Sequence, residues 1–278
     1  MANELVKELI DAGIHFGHRA GRWNPKMKPY IFGKRNLIHI INVKETVKGL
    51  LVAKRFLSGV VADGKDVLIV GTKRQARQAV QKNAERVGMH YVIDRWLGGT
   101  LTNFRVIRKR VGRLDELEAL QEKDMLDAYS KKEGAALRRE MAKIQRNLGG
   151  IRTMTRTPGA MVVIDQKREV NAVREARKLN IPVVCLLDTD SDPDMVDIPI
   201  PGNDDGMRAI EIVIRELCDA IEAGKKGRAA PKQEEGESAS GGRRRTNRRV
   251  TARAADAEKE QASEEKPETA EAEAESKE

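Results

Sequence analysis

Aromatic residues are scarce, with two tryptophans, three tyrosines and four phenylalanines in 278 residues. A core built from this chain rests on aliphatic side chains, so aromatics gathered outside an apolar run need a separate reason. Cysteine is scarcer still. Cys185 lies in an apolar strand-like run and Cys218 in an amphipathic helical pattern. Neither belongs to a disulfide framework or a metal spacing, and both read as small buried hydrophobes suited to a reducing cytoplasm. No apolar run has the length of a membrane span, and the opening MANELVKELIDAG mixes charge with apolar residues at helical spacing, unlike a signal peptide or an anchor. The phosphate fingerprints GxGxxG and GxxxxGK[ST] are missing, as are a nucleophile elbow, HExxH and any Cys–His pairing. These absences argue against an enzyme, a small-molecule substrate and a membrane partner.

Positive charge is plentiful and unevenly spread. The formal net charge is +9, yet residues 227–278 hold 11 Lys+Arg against 13 Asp+Glu, leaving 41 against 30 in residues 1–226. The basic part is the body, which points to a polyanionic partner.

Between residues 37 and 222, short apolar runs alternate with charged helical patterns. Strands are expected at 37–41, 67–71, 90–93, 160–165 and 182–188, and helices at 43–62, 74–87, 168–179 and 205–223. That alternation predicts an α/β fold, a three-layer doubly wound parallel sheet covered on both faces. From Asn103 to Ile151 the rhythm stops. Phe104, Ile107, Val111 and Leu114, then Leu137, Met141, Ile144, Leu148 and Ile151, recur at spacings of three and four. Such seams predict an inserted antiparallel coiled-coil helical hairpin with a polar bend at 124–134. The expected division is an α/β globular domain at 1–102 and 152–224, the hairpin at 103–151, and a disordered charge-blocked tail at 225–278 that is too poor in apolar residues to order itself.

The segment DRWLGGTLTNFRVIRKR, residues 94–110, is the most informative. It contains no acid between Arg95 and Arg113, so its positive charge lacks a local partner. Arg105, Arg108, Lys109 and Arg110 are candidate phosphate contacts at the start of a helix. Thr100, Thr102 and Asn103 are candidate donors at the preceding turn, beside Arg95 and Trp96. A second candidate surface is FGHRAGRWNPKMKPYIFGKR, residues 16–35, where four of the nine aromatics sit among cations. Arg19, Arg22, Trp23, Lys26 and Tyr30 there suit base stacking and phosphate neutralisation, while the same aromatics equally suit plugging the N-terminal helix onto the sheet. A third candidate is the strand-to-helix turn VLIVGTKRQA, where Lys73 and Arg74 face either a small nucleotide or the phosphates of a larger polymer.

Carboxylates crowd DTDSDPDMVDIPIPGNDD, residues 188–205. His18, Asp188, Asn203, Asp204 and Asp205 offer ligand types for a divalent metal, and the same acids also fit turn and helix-cap positions. No cofactor is required by any motif.

The loop GIHFGHRAGRWNPKMKPYIFGKRN, the turn VLIVGTKRQA, the segment RWLGGTLTNF, and the later MVVID and IPVVCLLDTDSDPD resemble, in order, small-subunit ribosomal protein two of the bacterial or organellar type. The resemblance covers nearly all of residues 5–222 and excludes the tail. It implies a flavodoxin-like domain with a coiled-coil hairpin, and a structural constituent of the small ribosomal subunit. It further implies binding to small-subunit rRNA on the solvent side near the junction of head and body. The implied partners include neighbouring small-subunit proteins, among them the OB-fold-repeat ribosomal protein one that captures messenger RNA.

Overall fold

The runs Val67–Val70 (β4), Ala160–Ile164 (β6) and Val183–Leu187 (β7) are buried at every residue. Strands apolar on both faces need cover on both sides, which a parallel sheet with crossover helices supplies. In the computed structural model, which describes residues 2–123 and 130–229, these strands form the centre of a five-stranded parallel sheet. His90–Val92 (β5) and Ile198–Pro201 (β8) are its edges, in the order β5-β4-β6-β7-β8. Numbered within the sheet, that order is 2-1-3-4-5, the flavodoxin-like arrangement.

Alternate residues divide the core in two. Val67, Ile69, Val162, Ile164, Val184 and Leu186 pack with Leu50 and Leu57 of α2 (Val43–Ala62), Val80 of α3 (Arg77–Val87), and Ile210 and Leu217 of α7 (Met207–Ala229). Leu68, Val70, Met161, Val163, Val183 and Cys185 face the other way, onto Val173 and Ala176 of α6 (Val170–Lys178). The second cluster also contains Ile107, Val111 and Leu114 of α4 (Phe104–Glu122), with Ile144 and Leu148 of α5 (Lys131–Leu148). These are five of the nine positions at which the spacing repeats; Phe104, Leu137 and Met141 are only partly buried against the same cluster. Helix α5 starts on a capping box between Ser130 and Glu133, which satisfies two otherwise orphaned amides. Residues 124–129 of the expected bend lie outside the described residues.

Three departures from expectation have local causes. Residues 38–41 (β3) do not join the parallel sheet. They pair antiparallel with Phe16–Arg19 (β1) and Ile31–Arg35 (β2), in the order β1-β3-β2. Two prolines and three glycines masked β1 and β2 as loop. Strand β8, IPIP, carries Pro199 and Pro201 and is tolerated because it is an edge strand. The last helix runs to Ala229, so the expected boundary after Gly224 falls inside α7, and the rest of the expected tail lies outside the described residues. Helix Ala2–Asp11 (α1) places Leu5 and Leu9 on the first cluster. Among the described residues no helix is long and apolar enough to cross a membrane.

Candidate nucleic-acid interface

The turn after β5 is organised by one carboxylate. Glu175, on α6, accepts from Trp96 Nε1 (3.1 Å) and the Gly99 amide (2.7 Å) through Oε1. Its Oε2 accepts from the Leu101 amide (3.0 Å), the Thr102 amide (3.2 Å) and the Thr102 hydroxyl (3.2 Å). Five donors converge on one anion. Partial burial acts to push the Glu175 carboxyl up, but these donors outweigh it and hold the group below its ordinary range. The donors expected to meet phosphate at this turn are therefore already engaged. Thr100 donates its hydroxyl to Leu97 O at 2.6 Å. Of these expected donors, the Asn103 side chain has no partner among the described residues; it stands at the N-cap of α4 without a capping bond.

The candidate cations sort into two groups. Arg108 donates Nη1 to Arg152 O (3.0 Å) and Met154 O (3.1 Å), tying α4 to the segment after α5. Lys26 sits 3.0 Å from Asp192 and 2.7 Å from Asp194, and both contacts raise its pKa. Lys73 is buried, 2.7 Å from Asp204, 2.6 Å from Asp205 and 3.5 Å from Asp165. Burial opposes its charge, yet the bonds to Asp204 and Asp205 keep it protonated well above the ordinary lysine range. By contrast, Arg19, Arg22, Arg74, Arg95, Arg105, Lys109 and Arg110 are exposed and have no side-chain partner among the described residues. Three of the seven lie on the first two turns of α4.

The aromatic segment divides as well. Met27 is fully buried and Tyr30 half-buried against the second core cluster, so these two plug the sheet. Trp23 is half-buried with its ring 5.3 Å from His39. Phe32 is 79% exposed and Phe16 48% exposed, leaving apolar surface on the small sheet.

At the carboxyl edge of the large sheet the acids converge. His18 Nδ1 lies 2.8 Å from Asp188 Oδ2, and its Nε2 3.5 Å from Asp205 Oδ2. The hydrogen bond to Asp188 pushes the His18 pKa up to about 9, against the opposing effect of burial. Asp204 is almost fully buried, and burial with the neighbouring Asp165 and Asp188 carries its pKa up to about 7. Donor atoms of His18, Asp188 and Asp204 all lie within 4.8 Å of one another. Of the five candidate ligands these three come together. Asn203 is spent on the loop, donating to Gly13 O (3.1 Å) and accepting from the amides of Asp205 (2.8 Å) and Gly206 (3.0 Å).

Sequence reasoning missed Glu175, Thr72 and Glu169. All three act through contacts between residues more than seventy positions apart, which no spacing reveals.

Replacing Glu175 with glutamine is expected to cost about 2 kcal/mol at neutral pH, allowing for the partial exposure of a charged hydrogen-bond acceptor. Because its pKa is depressed in the folded state, its contribution is full above the unfolded carboxylate pKa and vanishes as pH falls through the folded value. Urea unfolding of both proteins should differ at pH 7, and the gap should narrow as the pH falls below the ordinary carboxylate range, roughly 4. An unchanged gap in acid would show that charge on Glu175 is not the stabilising element.

Comparison with known proteins agrees with this architecture. The family model for ribosomal protein S2 matches residues 9–224. The small ribosomal subunit protein uS2 of Rhodopirellula baltica is 60% identical over 225 residues, 81% of this chain and 86% of that protein. The uS2c protein of Cyanophora paradoxa is 53% identical over 221 residues, 80% of this chain and 95% of its own. The uS2 protein of Nostoc punctiforme is 49% identical over 222 residues, covering 80% and 84%. With residues 9–224 matched, the chain belongs to the ribosomal protein S2 family, whose members are structural, non-enzymatic components of the small ribosomal subunit.

Proposed function

We propose that the chain is a structural constituent of the cytoplasmic small ribosomal subunit that grips rRNA phosphates with the unpartnered cations at the base of α4. The observation that carries this reading is selective pairing. Arg108, Lys26 and Lys73 are bound to groups of the protein, whereas Arg105, Lys109 and Arg110 project from α4 with no partner among the described residues, with exposed Arg95 in the turn before it. Exposed cations left unpaired in a chain rich in acids suit phosphate contacts that position a protein without reading sequence. Arg19, Arg22 and Arg74 add to the same electrostatic footprint. In this reading α4 and α5 form a coiled-coil hairpin whose base is held to the α/β domain by Arg108 and Glu175.

Replacing Arg105, Lys109 and Arg110 together with glutamine should flatten the salt dependence of binding to small-subunit rRNA. Each lost phosphate contact lowers the log–log slope by roughly 0.7 to 0.9. Arg108→Gln should instead lower stability with little change in slope. Equal slopes for the triple variant and the native chain would remove this face from the interface.

We also propose that the protein helps dock the messenger-capturing OB-fold-repeat ribosomal protein. Ile10, Phe16, Phe32 and Leu37 expose apolar surface on and around the small sheet, of a kind that a protein neighbour covers. Subunits rebuilt with Phe32→Asp should keep this chain and lose that partner on sedimentation. Full retention of the partner would place its docking elsewhere.

The third element of the proposal is a divalent cation at His18, Asp188 and Asp204. One imidazole and two nearly buried carboxylates form a mixed nitrogen–oxygen set compatible with zinc. Calorimetric titration with zinc should give one equivalent bound by the native chain and none by Asp204→Asn. Identical titrations would sink the site.

A further inference from the structure

The large sheet has one place where its connections part company. From β4 the chain passes to α3 on the first face, and from the adjacent β6 to α6 on the second. Where neighbouring strands send their helices to opposite faces, a crevice opens at the carboxyl edge, and doubly wound proteins place ligands there. Here the crevice is about 480 Å³ and is lined by Thr72, Arg95, Trp96, Arg168, Glu169 and Asn171, with Asp94 at its side. Its size lies within the usual range for a small organic ligand, about 300–1,000 Å³.

The lining has two chemical halves. Arg168 donates Nε to Thr72 Oγ1 at 3.0 Å, which fixes the guanidinium and leaves both its Nη groups without a partner among the described residues. Arg95 is exposed and equally unpartnered. Two free guanidiniums at one opening suit a phosphate, which they bind in bidentate fashion. Opposite in character is Glu169, which is 3% exposed. Its Oε1 accepts from the Thr72 amide at 3.2 Å and from the Thr72 hydroxyl, and its Oε2 has no partner among the described residues. That oxygen, with the unengaged side chain of Asn171, suits the amino edge of a base.

The crevice does not suit a di- or triphosphate. The β4–α3 turn has one glycine, Gly71, and a Cβ there would stand 2.9 Å from Val80 Cγ2 and 3.3 Å from Ala76 Cβ. That glycine serves close helix–strand packing, not the approach of a pyrophosphate. Lys73, the residue placed to reach further phosphates, is consumed by Asp204 and Asp205.

We propose that this crevice holds a single nucleoside monophosphate unit, its phosphate between Arg95 and Arg168 and the amino edge of its base toward Glu169 and Asn171. Two sources share this chemistry, one unpaired nucleotide of the bound rRNA and a free mononucleotide. The rRNA source rests on the function proposed above, and the experiment separates the two. Both native cysteines are buried, so Arg174→Cys, on exposed α6 surface one turn beyond Asn171, gives a unique site for tethered iron–EDTA. The full chain carrying that probe is rebuilt into small subunits, and rRNA cleavage is mapped. In parallel, the native chain is dialysed against labelled AMP, GMP, CMP and UMP.

Focused cleavage at an unpaired nucleotide, reduced about tenfold when Arg95→Gln and Arg168→Gln are added, assigns the site to rRNA; that fold-change matches the loss of a charge-assisted contact. Retention of a mononucleotide by the native chain, about tenfold weaker in the same double variant, assigns it to a free nucleotide. Cleavage confined to paired strands, or cleavage indifferent to the two substitutions, together with no nucleotide retained, overturns the proposal. If the probed chain fails to sediment with subunits, the ribosomal reading fails, and the dialysis alone decides the crevice.

Discussion

The Glu175 carboxylate is the interaction on which the basic face depends. It sits on α6, a helix of the sheet domain, and takes five donors from the turn that launches α4. A turn with several inward-pointing amides is a ready anion site, and leaving those amides bare inside the protein carries a desolvation cost. The protein fills the site with its own anion. The direction in which α4 leaves the sheet is thereby tied to α6. The basic residues of the first α4 turns inherit that fixed orientation, which a loop held only by packing does not supply.

A second consequence concerns which charges remain available. Where a cation is wanted for structure, an acid or a carbonyl meets it at hydrogen-bond distance, as Lys73 meets Asp204 and Arg108 meets Met154 O. Where acids are crowded, cations from distant segments neutralise them, and His18 reaches Asp188 across 170 residues of sequence. Among the described residues, Arg95, Arg105, Lys109 and Arg110 are left exposed and unpaired around the start of α4. These four form a local cluster of positive charge where α4 begins, as a phosphate-binding scaffold needs.

Much of the fold was legible because its signals are local. The apolar runs of β4, β6 and β7 read as buried parallel strands, and the three-and-four spacing from Phe104 to Ile151 read as paired helices. Strands β1 and β2 of the small sheet were hidden by Pro25, Pro29 and the glycines around them, and β8 by its own prolines. The basic segment was legible as a charge run without acids, but the engagement of its turn donors was not. Glu175 looks like any polar position of an amphipathic helix until the chain folds. Lys73 likewise looks like a phosphate ligand until three aspartates from two later loops arrive around it.

The same fold serves many proteins as a ligand-binding platform, because its carboxyl edge is open between divergent loops. Here most of that edge is closed from within. The β1 segment crosses it, with the His18 amide donating to Asp188 Oδ1 (3.1 Å) and Thr189 Oγ1 (3.0 Å). Gly17 permits the crossing, since a Cβ there would fall 2.6 Å from Thr189 Cγ2. Asp204 and Lys73 fill the space beneath, joining the ends of β8 and β4. A strap over one end of the sheet and an ion cluster under it convert a reaction cleft into a rigid joint. Among the described residues, the crevice between β4 and β6 stays open, next to the turn that leads into α4. The part of the edge that an enzyme uses for chemistry is thus given over to holding the N-terminal segment, and the remaining opening is lined by Arg95 and Arg168.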